Sequence, residues 1–259
     1  MCFSNLLGFA VLYNIRMIRD RVDDPRLLLL DTSGKSGRVA VACGSHLEEE
    51  RTLDEARRHA RDLTPTISAL CAARGWRLRD LDAVIVGRGP GSYTGLRVGL
   101  MTAKTLAYAA GCTLLAIESF AAIARQTPAG ASAVDVLCDA QQQRVYLQRW
   151  IRSGHEWSAA SDLAIRTIEE WLISLAPGVW VSGPGAKLCE HRLAEGNPAA
   201  PVEAREPLPS SLLEIGLRRW RAGEADDFWK LEPIYLRPSN AEENWERRLP
   251  RAVNAPPAR

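Results

Sequence analysis

The residues that could do chemistry are concentrated in one run, VGRGPGSYTGLRVG, from Val86 to Gly99. An apolar strand, Ala83-Val84-Ile85-Val86, runs into glycines at 87, 89, 91, 95 and 99, with Pro90 among them. Glycine reaches backbone angles closed to other residues and lets a ligand or a second backbone come close. A strand, a glycine turn and a helix N-terminus together offer free N–H groups to an anion. Gly89, Gly91 and Ser92 are the candidates for such contacts. Asp31 and Asp139, carboxylates at strand ends beside a cleft, could orient a hydrated Mg²⁺ on a nucleotide, and Thr32 after Asp31 is a further nucleotide-contact candidate. Asp139 ends the corresponding strand of the second half. Each aspartate also has a plainer use, capping its own turn through side-chain hydrogen bonds.

Several standard chemistries do not fit. A Walker A loop needs Lys and then Ser/Thr after its last glycine, and here Leu96-Arg97 follow Gly95. Thr94 stands where a dinucleotide fingerprint needs its third glycine. Ser92 lacks the G-x-S-x-G spacing of a nucleophile elbow, so helix capping by Ser92 or Thr94 is the expected use. The four histidines, at 46, 59, 155 and 191, never pair at metal-binding spacing, so no metal site is expected.

Around this run the chain has the composition of an ordinary globular protein of one domain or two lobes. Its net charge of +2 argues against strong general affinity for nucleic acid. Cysteines at 2, 43, 71, 112, 138 and 189 form no C-x-x-C and read as reduced thiols of a cytoplasmic protein. Leu6 to Ile15 is apolar but too short to span a bilayer, and Met17 is a possible alternative start.

Leu27–Asp31 and Arg38–Ala42 read as a hairpin, and Glu48–Arg61 as a solvated, partly helical connection. Thr64 with Pro65 reads as a helix start, Ile67 and Leu70 lie on that helix's apolar face, and Gly75 is its stop. A second helix is expected from about Thr94 to Ala110, ended by Gly111. On it Gly95, Gly99, Ala103 and Ala107 recur every four residues, a smooth stripe that admits another backbone. Two uses are open for the stripe: contact with the chain's own sheet or helix, or a subunit interface. Thr113–Ile117 reads as a strand and Ser119–Arg125 as a short helix.

Beyond Thr127-Pro128-Ala129-Gly130 the pattern restarts, with strands at 134–139 and 144–151 around a turn at 140–143. Thr167 and Glu170 form a capping box. A strand at 179–181, the turn Ser182-Gly183-Pro184-Gly185 and a helix from Ala186 to Ala194 follow. Ser211 and Glu214 read as a second capping box. A hairpin followed by helix, strand, glycine turn and helix therefore occurs twice, which predicts two similar α/β lobes facing a cleft.

The run GRGPGSYTGLRVGLMTAKTLAYAAG resembles the signature of the TsaB (YeaZ) family, and the opening LLLLDTSGKSGRVAVA does too. CDAQQQRVYLQRW and EPIYLRPSNAE are similar to that family's second-lobe opening and C-terminal stretch. The resemblance spans about residues 26–245. It implies the actin-like ATPase (ASKHA) fold with two ribonuclease-H-like lobes. The expected division is an extension at 1–25, poorly ordered, a first lobe at 26–129, a second at 130–238, and a C-terminal segment at 239–259.

The resemblance further implies a subunit of the bacterial machinery that makes N6-threonylcarbamoyladenosine at position 37 of tRNAs reading ANN codons. The catalytic paralogue, TsaD, carries a metal-binding H-x-x-x-H after the same glycine helix and strand. Ser119 and Ile123 stand at those two positions here, and neither replaces an imidazole. The resemblance thus implies a non-catalytic scaffold that pairs with TsaD through first-lobe helices. It places the interface at Ile67, Leu70, Gly95, Gly99, Ala103 and Ala107. The ATPase TsaE docks on such a pair, ATP or ADP with Mg²⁺ can sit near the junction, and tRNA is met through the complex. A homodimer is the alternative when the protein is alone. The rival readings are a stand-alone ATPase or kinase of the same fold and, more distantly, a peptidase.

Overall fold

The computed structural model describes residues 23–53 and 59–235. The expectations for the extension before residue 23 and for the segment after residue 235 lie outside the described residues. Pro25, placed in the extension by the sequence, is buried and its carbonyl accepts a hydrogen bond from the Gly44 N–H.

The first sheet holds β1 (Arg26–Asp31), β2 (Arg38–Cys43), β3 (His46–Thr52), β4 (Ala83–Gly87) and β5 (Thr113–Ile117), in the order β3-β2-β1-β4-β5. The strands β1, β2 and β3 form an antiparallel meander, whereas β4 and β5 run parallel to β1. Alternation along the strands splits the core in two. Leu28, Leu30, Val39, Val41, Val84 and Val86 face α1 (His59–Ala73) and α2 (Tyr93–Ala110). Leu27, Leu29, Ala40, Ala42, Ala83 and Ile85 face the other way. A central strand covered on both faces must be apolar throughout, which is why β1 reads as four consecutive leucines.

The second sheet contains β6 (Ala133–Asp139), β7 (Arg144–Ser153), β8 (Glu156–Ala159), β9 (Ala164–Thr167) and β10 (Trp180–Ser182). Its order is β10-β6-β7, with β8 and β9 sharing the outer edge of β7. Beyond β10, Val181 bridges in parallel to Ala199, where the first sheet has its fifth strand. The repeat predicted from pattern is present: antiparallel hairpin, parallel third strand, and a Gly-Pro-Gly turn after each (89–91 and 183–185). Gly89 and Gly183 both have positive φ, 98° and 91°.

Between the sheets lies α3 (Ser119–Arg125). Its Ala122 joins the core of the first sheet, and Phe120, Ile123 and Ala124 join that of the second. The capping box of α4 (Ile168–Ser174) forms as read, with Thr167 Oγ1 accepting from the Glu170 N–H and Glu170 Oε2 from the Thr167 N–H.

Five expectations are corrected by packing. Glu48–Arg61 is not all connection, because residues 46–52 pair with β2; their charges mark a solvated edge strand rather than a loop. Pro65 lies inside α1, which is already helical at His59. No helix runs from Ala186 to Ala194. Two short 3₁₀ turns replace it, because Cys189 turns into the core and Glu190 turns to Arg205. The last helix, α5 (Pro209–Arg221), starts two residues before Ser211 with Pro209 at its first position. Its Glu214 pairs with Arg125 rather than closing a capping box. Nor does the second lobe run unbroken to 238: α5 returns to the first sheet, where Leu212, Leu213 and Leu217 complete its second core.

Candidate functional site

The glycine corner is filled by the chain itself. Thr32 Oγ1 donates to the Gly95 carbonyl (2.7 Å), and the Ser92 N–H donates to the Ser33 carbonyl (2.8 Å). A Cβ on Gly91 would stand 2.4 Å from the Ser33 carbonyl oxygen, and one on Gly95 2.0 Å from that of Thr32. A Cβ on Gly99 would meet Thr32 Oγ1 at 2.1 Å. The glycines therefore admit the β1–β2 turn against the N-terminal half of α2. Ser92 caps α2, its Oγ accepting from the Gly95 N–H at 3.3 Å.

Asp31 closes the same corner from below. It is 2% exposed. Its Oδ1 accepts from Ser33 N (2.8 Å) and Ser33 Oγ (2.6 Å), and its Oδ2 from Ser119 Oγ (2.9 Å). Ser119 in turn accepts from the Gly89 N–H at 3.2 Å and donates its own N–H to the Gly89 carbonyl at 2.9 Å. Asp31, Ser119 and Gly89 thus weld the interlobe helix to the glycine turn. Burial pushes the Asp31 carboxyl above its ordinary value, and the bonds from Ser33 and Ser119 pull it back only in part.

A carboxyl that holds its proton more tightly when folded contributes stability below its unfolded pKa of 3.8 and loses it as pH rises through the native value. Asp31→Asn keeps an oxygen for Ser33 and removes the charge. The stability difference, variant minus wild type, is expected to grow as pH goes from about 4 to about 7, read by urea unfolding at each pH.

Of the candidate residues, Asp31, Thr32, Gly89, Gly91 and Ser92 come together at this corner. Asp139 does not join them: it is exposed and its Oδ1 accepts from the Gln141 N–H at 2.6 Å, the plainer of its two uses. The turn it caps holds Gln141, Gln142 and Gln143 all at positive φ, which no sequence signal announced.

The stripe residues on α2 and their neighbours on α1 are inside the molecule. Ile67, Leu70, Ala103 and Ala107 are at most 1% exposed, and Gly95 and Gly99 are buried. They pack on the chain's own sheet, so they offer no surface to a partner. The outer faces of the same helices do. On α1 these are Arg61, Thr64, Pro65, Ser68, Ala69, Ala72 and Ala73; on α2, Thr94, Arg97, Met101, Thr105, Tyr108 and Ala109. Of these only Arg61 and Arg97, toward the N-terminal ends of the two helices, carry a charge. Met101 is 59% exposed, and beside it Tyr108 makes edge contacts with Phe228 and the exposed Trp229. The rest is an uncharged, Met- and aromatic-bearing patch, the composition of an interface core, and arginine is itself common at such interfaces.

Comparison with known proteins agrees with this architecture. The family model described as "TsaD: tRNA N6-adenosine threonylcarbamoyltransferase" matches residues 53–188, more than half of the chain. The protein of Escherichia coli named "tRNA threonylcarbamoyladenosine biosynthesis protein TsaB" is 26% identical over 220 residues, covering 82% of this chain and 94% of that one. The chain belongs to the TsaB (YeaZ) family. An uncharacterised protein of Mycobacterium tuberculosis is 34% identical over 197 residues, 74% of this chain and 82% of its own. The solved structure of YeaZ from Pseudomonas aeruginosa superposes with a TM-score of 0.68 at 26% identity, over 82% of this chain and 100% of that one. The two-lobed actin-like fold expected from the sequence is thereby established.

In this TsaB-family chain Ser119 is bonded to buried Asp31, and Ile123 is 1% exposed in the core of the second sheet. Among the described residues no group of three His, Cys, Asp or Glu side chains is placed to hold a metal ion. No described helix is long and apolar enough to cross a membrane.

Proposed function

We propose that the protein is the non-catalytic partner of a TsaD transferase in tRNA N6-threonylcarbamoyladenosine biosynthesis. The reading rests first on what has become of α3. In the paralogue the corresponding helix carries a metal grip. Here Ser119 ties the helix to β1, and Ile123 packs into the second core, so α3 is a structural joint. The names of the TsaB relatives supply the pathway. The largely uncharged outer faces of α1 and α2 supply the docking surface, where two helices of the partner complete a four-helix bundle. The buried glycine stripe serves this surface from behind by holding α2 tight to the sheet. TsaE and a nucleotide with Mg²⁺ join at the assembled pair, and tRNA modified at adenosine 37 is met there rather than by this subunit alone.

Met101 stands at the middle of that face, so Met101→Glu places a charge in the buried centre. Co-purification with the cognate TsaD is expected to weaken by at least about tenfold, with Tm unchanged. Ile173→Glu, on the exposed face of α4 in the second lobe, is expected to bind as wild type does. Full binding by a folded Met101→Glu protein overturns the interface. Modification of tRNA by the purified chain alone overturns the non-catalytic role.

A further inference from the structure

We propose that Glu206 is a built-in occupant of the interlobe cleft, which holds the lobes together and keeps phosphate-bearing ligands out. The segment 204–208 leaves the second sheet and leads into α5 on the first, so it crosses between the lobes. It is pinned on both sides. Arg205, 6% exposed, donates through Nε to the Ala200 carbonyl (2.7 Å) and through Nη1 and Nη2 to the two carboxylate oxygens of Glu190 (2.7 and 2.9 Å). That fixes the segment to the second lobe. Gln126, at the end of α3, fixes it from the other side. Its Nε2 donates to the carbonyls of Ala204 (2.9 Å) and Glu206 (2.8 Å), and its Oε1 accepts from the Leu208 N–H (2.8 Å). One amide side chain thus satisfies three backbone groups of a segment with no regular structure of its own beyond residue 204.

Held this way, Glu206 reaches the β1–β2 turn. Its Cδ, Oε1 and Oε2 lie 3.2–3.3 Å from where a Cβ on Gly34 would stand. Its charge is felt by Asp31 in the first lobe and by Cys138 at the end of β6 in the second. The turn Thr32-Ser33-Gly34-Lys35-Ser36-Gly37 follows a strand and is rich in glycine, the kind of backbone that could receive an anion. A carboxylate of the chain itself already lies on it. Any phosphate entering would meet that charge with buried Asp31 beneath it. A neighbouring device acts in the same direction: Arg125 pairs with Glu156 on β8 and Glu214 on α5, and Glu156 also with Arg218. Residues 125 and 126 therefore lock the two lobes from adjacent positions.

The test is hydrogen exchange of the full chain, read by mass spectrometry, for wild type, Glu206→Ala, Gln126→Ala and the exposed neighbour Glu203→Ala. Amides of residues 34–37 are expected to exchange at least tenfold faster in the first two variants and at the wild-type rate in Glu203→Ala. Amides of Leu27–Leu30 should stay protected in all four, which reports an intact fold. Addition of Mg·ATP is expected to slow exchange at 34–37 in Glu206→Ala and to leave wild type unchanged. Unchanged exchange at 34–37 in Glu206→Ala overturns the proposal, as does Mg·ATP protection of that turn in wild type.

Discussion

Gly95→Ala is expected to destabilise the protein by about 2 kcal/mol or more, although alanine is the better helix former by about 1 kcal/mol. On an exposed helix the substitution would raise Tm. Here the new methyl group would stand 2.0 Å from the backbone oxygen of Thr32, and a backbone oxygen cannot rotate away. Relief requires α2 to lift from the β1–β2 turn. That breaks the bond from Thr32 Oγ1 to the Gly95 carbonyl and opens contacts along β1. Gly99→Ala is expected to cost less. Its clash, at 2.1 Å, is with the Thr32 hydroxyl, which can change rotamer at the loss of that one hydrogen bond. Urea unfolding of both variants checks the order; equal or greater stability in Gly95→Ala would mean that the stripe is not a packing seam. Loss of partner binding in either variant would report on folding, whereas the outer-face substitutions report on pairing.

The sequence marked the stripe but not which way it faced. A row of small residues says that something approaches closely; it does not say what. The leucine run of β1 fixed a strand buried on both faces, so both flanking helices of the first sheet had to lie against it. That geometry assigns the stripe to the chain's own turn before any partner is considered. The Gly-Pro-Gly turns, Ser92 at the start of α2 and Gly111 at its end were legible because local backbone geometry selects those residues. Gly111 sits at φ 62°, the left-handed conformation that ends helices. The course of residues 189–209 was not legible. It depends on partners far along the chain: Arg205 on Glu190, Gln126 on the 204–208 segment, Glu214 on Arg125. Propensity favoured a helix at Ala186–Ala194, and the burial of Cys189 together with the bidentate Glu190–Arg205 pair overrode it. Asp31 and Thr32 were picked as chemistry-bearing from their place at a strand end. They do stand at the end of β1, and the atoms that could meet a ligand bond to Ser33, Ser119 and Gly95.

The second lobe is expected to depend just as strongly on Asp135, which carries no catalytic promise and sits within an apolar strand. The residue is 0% exposed on β6, directly across from Arg149 on β7. Arg149 donates to Oδ1 through Nε (2.7 Å) and to Oδ2 through Nη2 (2.8 Å), and the Trp171 indole Nε1 donates to Oδ2 at 2.9 Å. Asp135→Ala removes the acceptor and leaves both donors, with Trp171 fully buried. Breaking a fully buried pair from one side costs about 3–5 kcal/mol; the Arg149 side chain is 31% exposed and can turn to water, so the lower end, about 3 kcal/mol, is expected here, still a large share of the roughly 5–15 kcal/mol that a domain of this kind has. Removing both partners is a different matter. Asp135→Leu with Arg149→Met replaces the charges by apolar groups of similar volume, and such replacements are often neutral. The indole N–H alone would then lack an acceptor, at about 1–3 kcal/mol. The expected order of stability is therefore wild type, then the double variant, then Asp135→Ala. Adding Trp171→Phe to the double variant should recover most of the remaining loss. If Asp135→Ala proves as stable as wild type, the lobe is held by its apolar clusters alone.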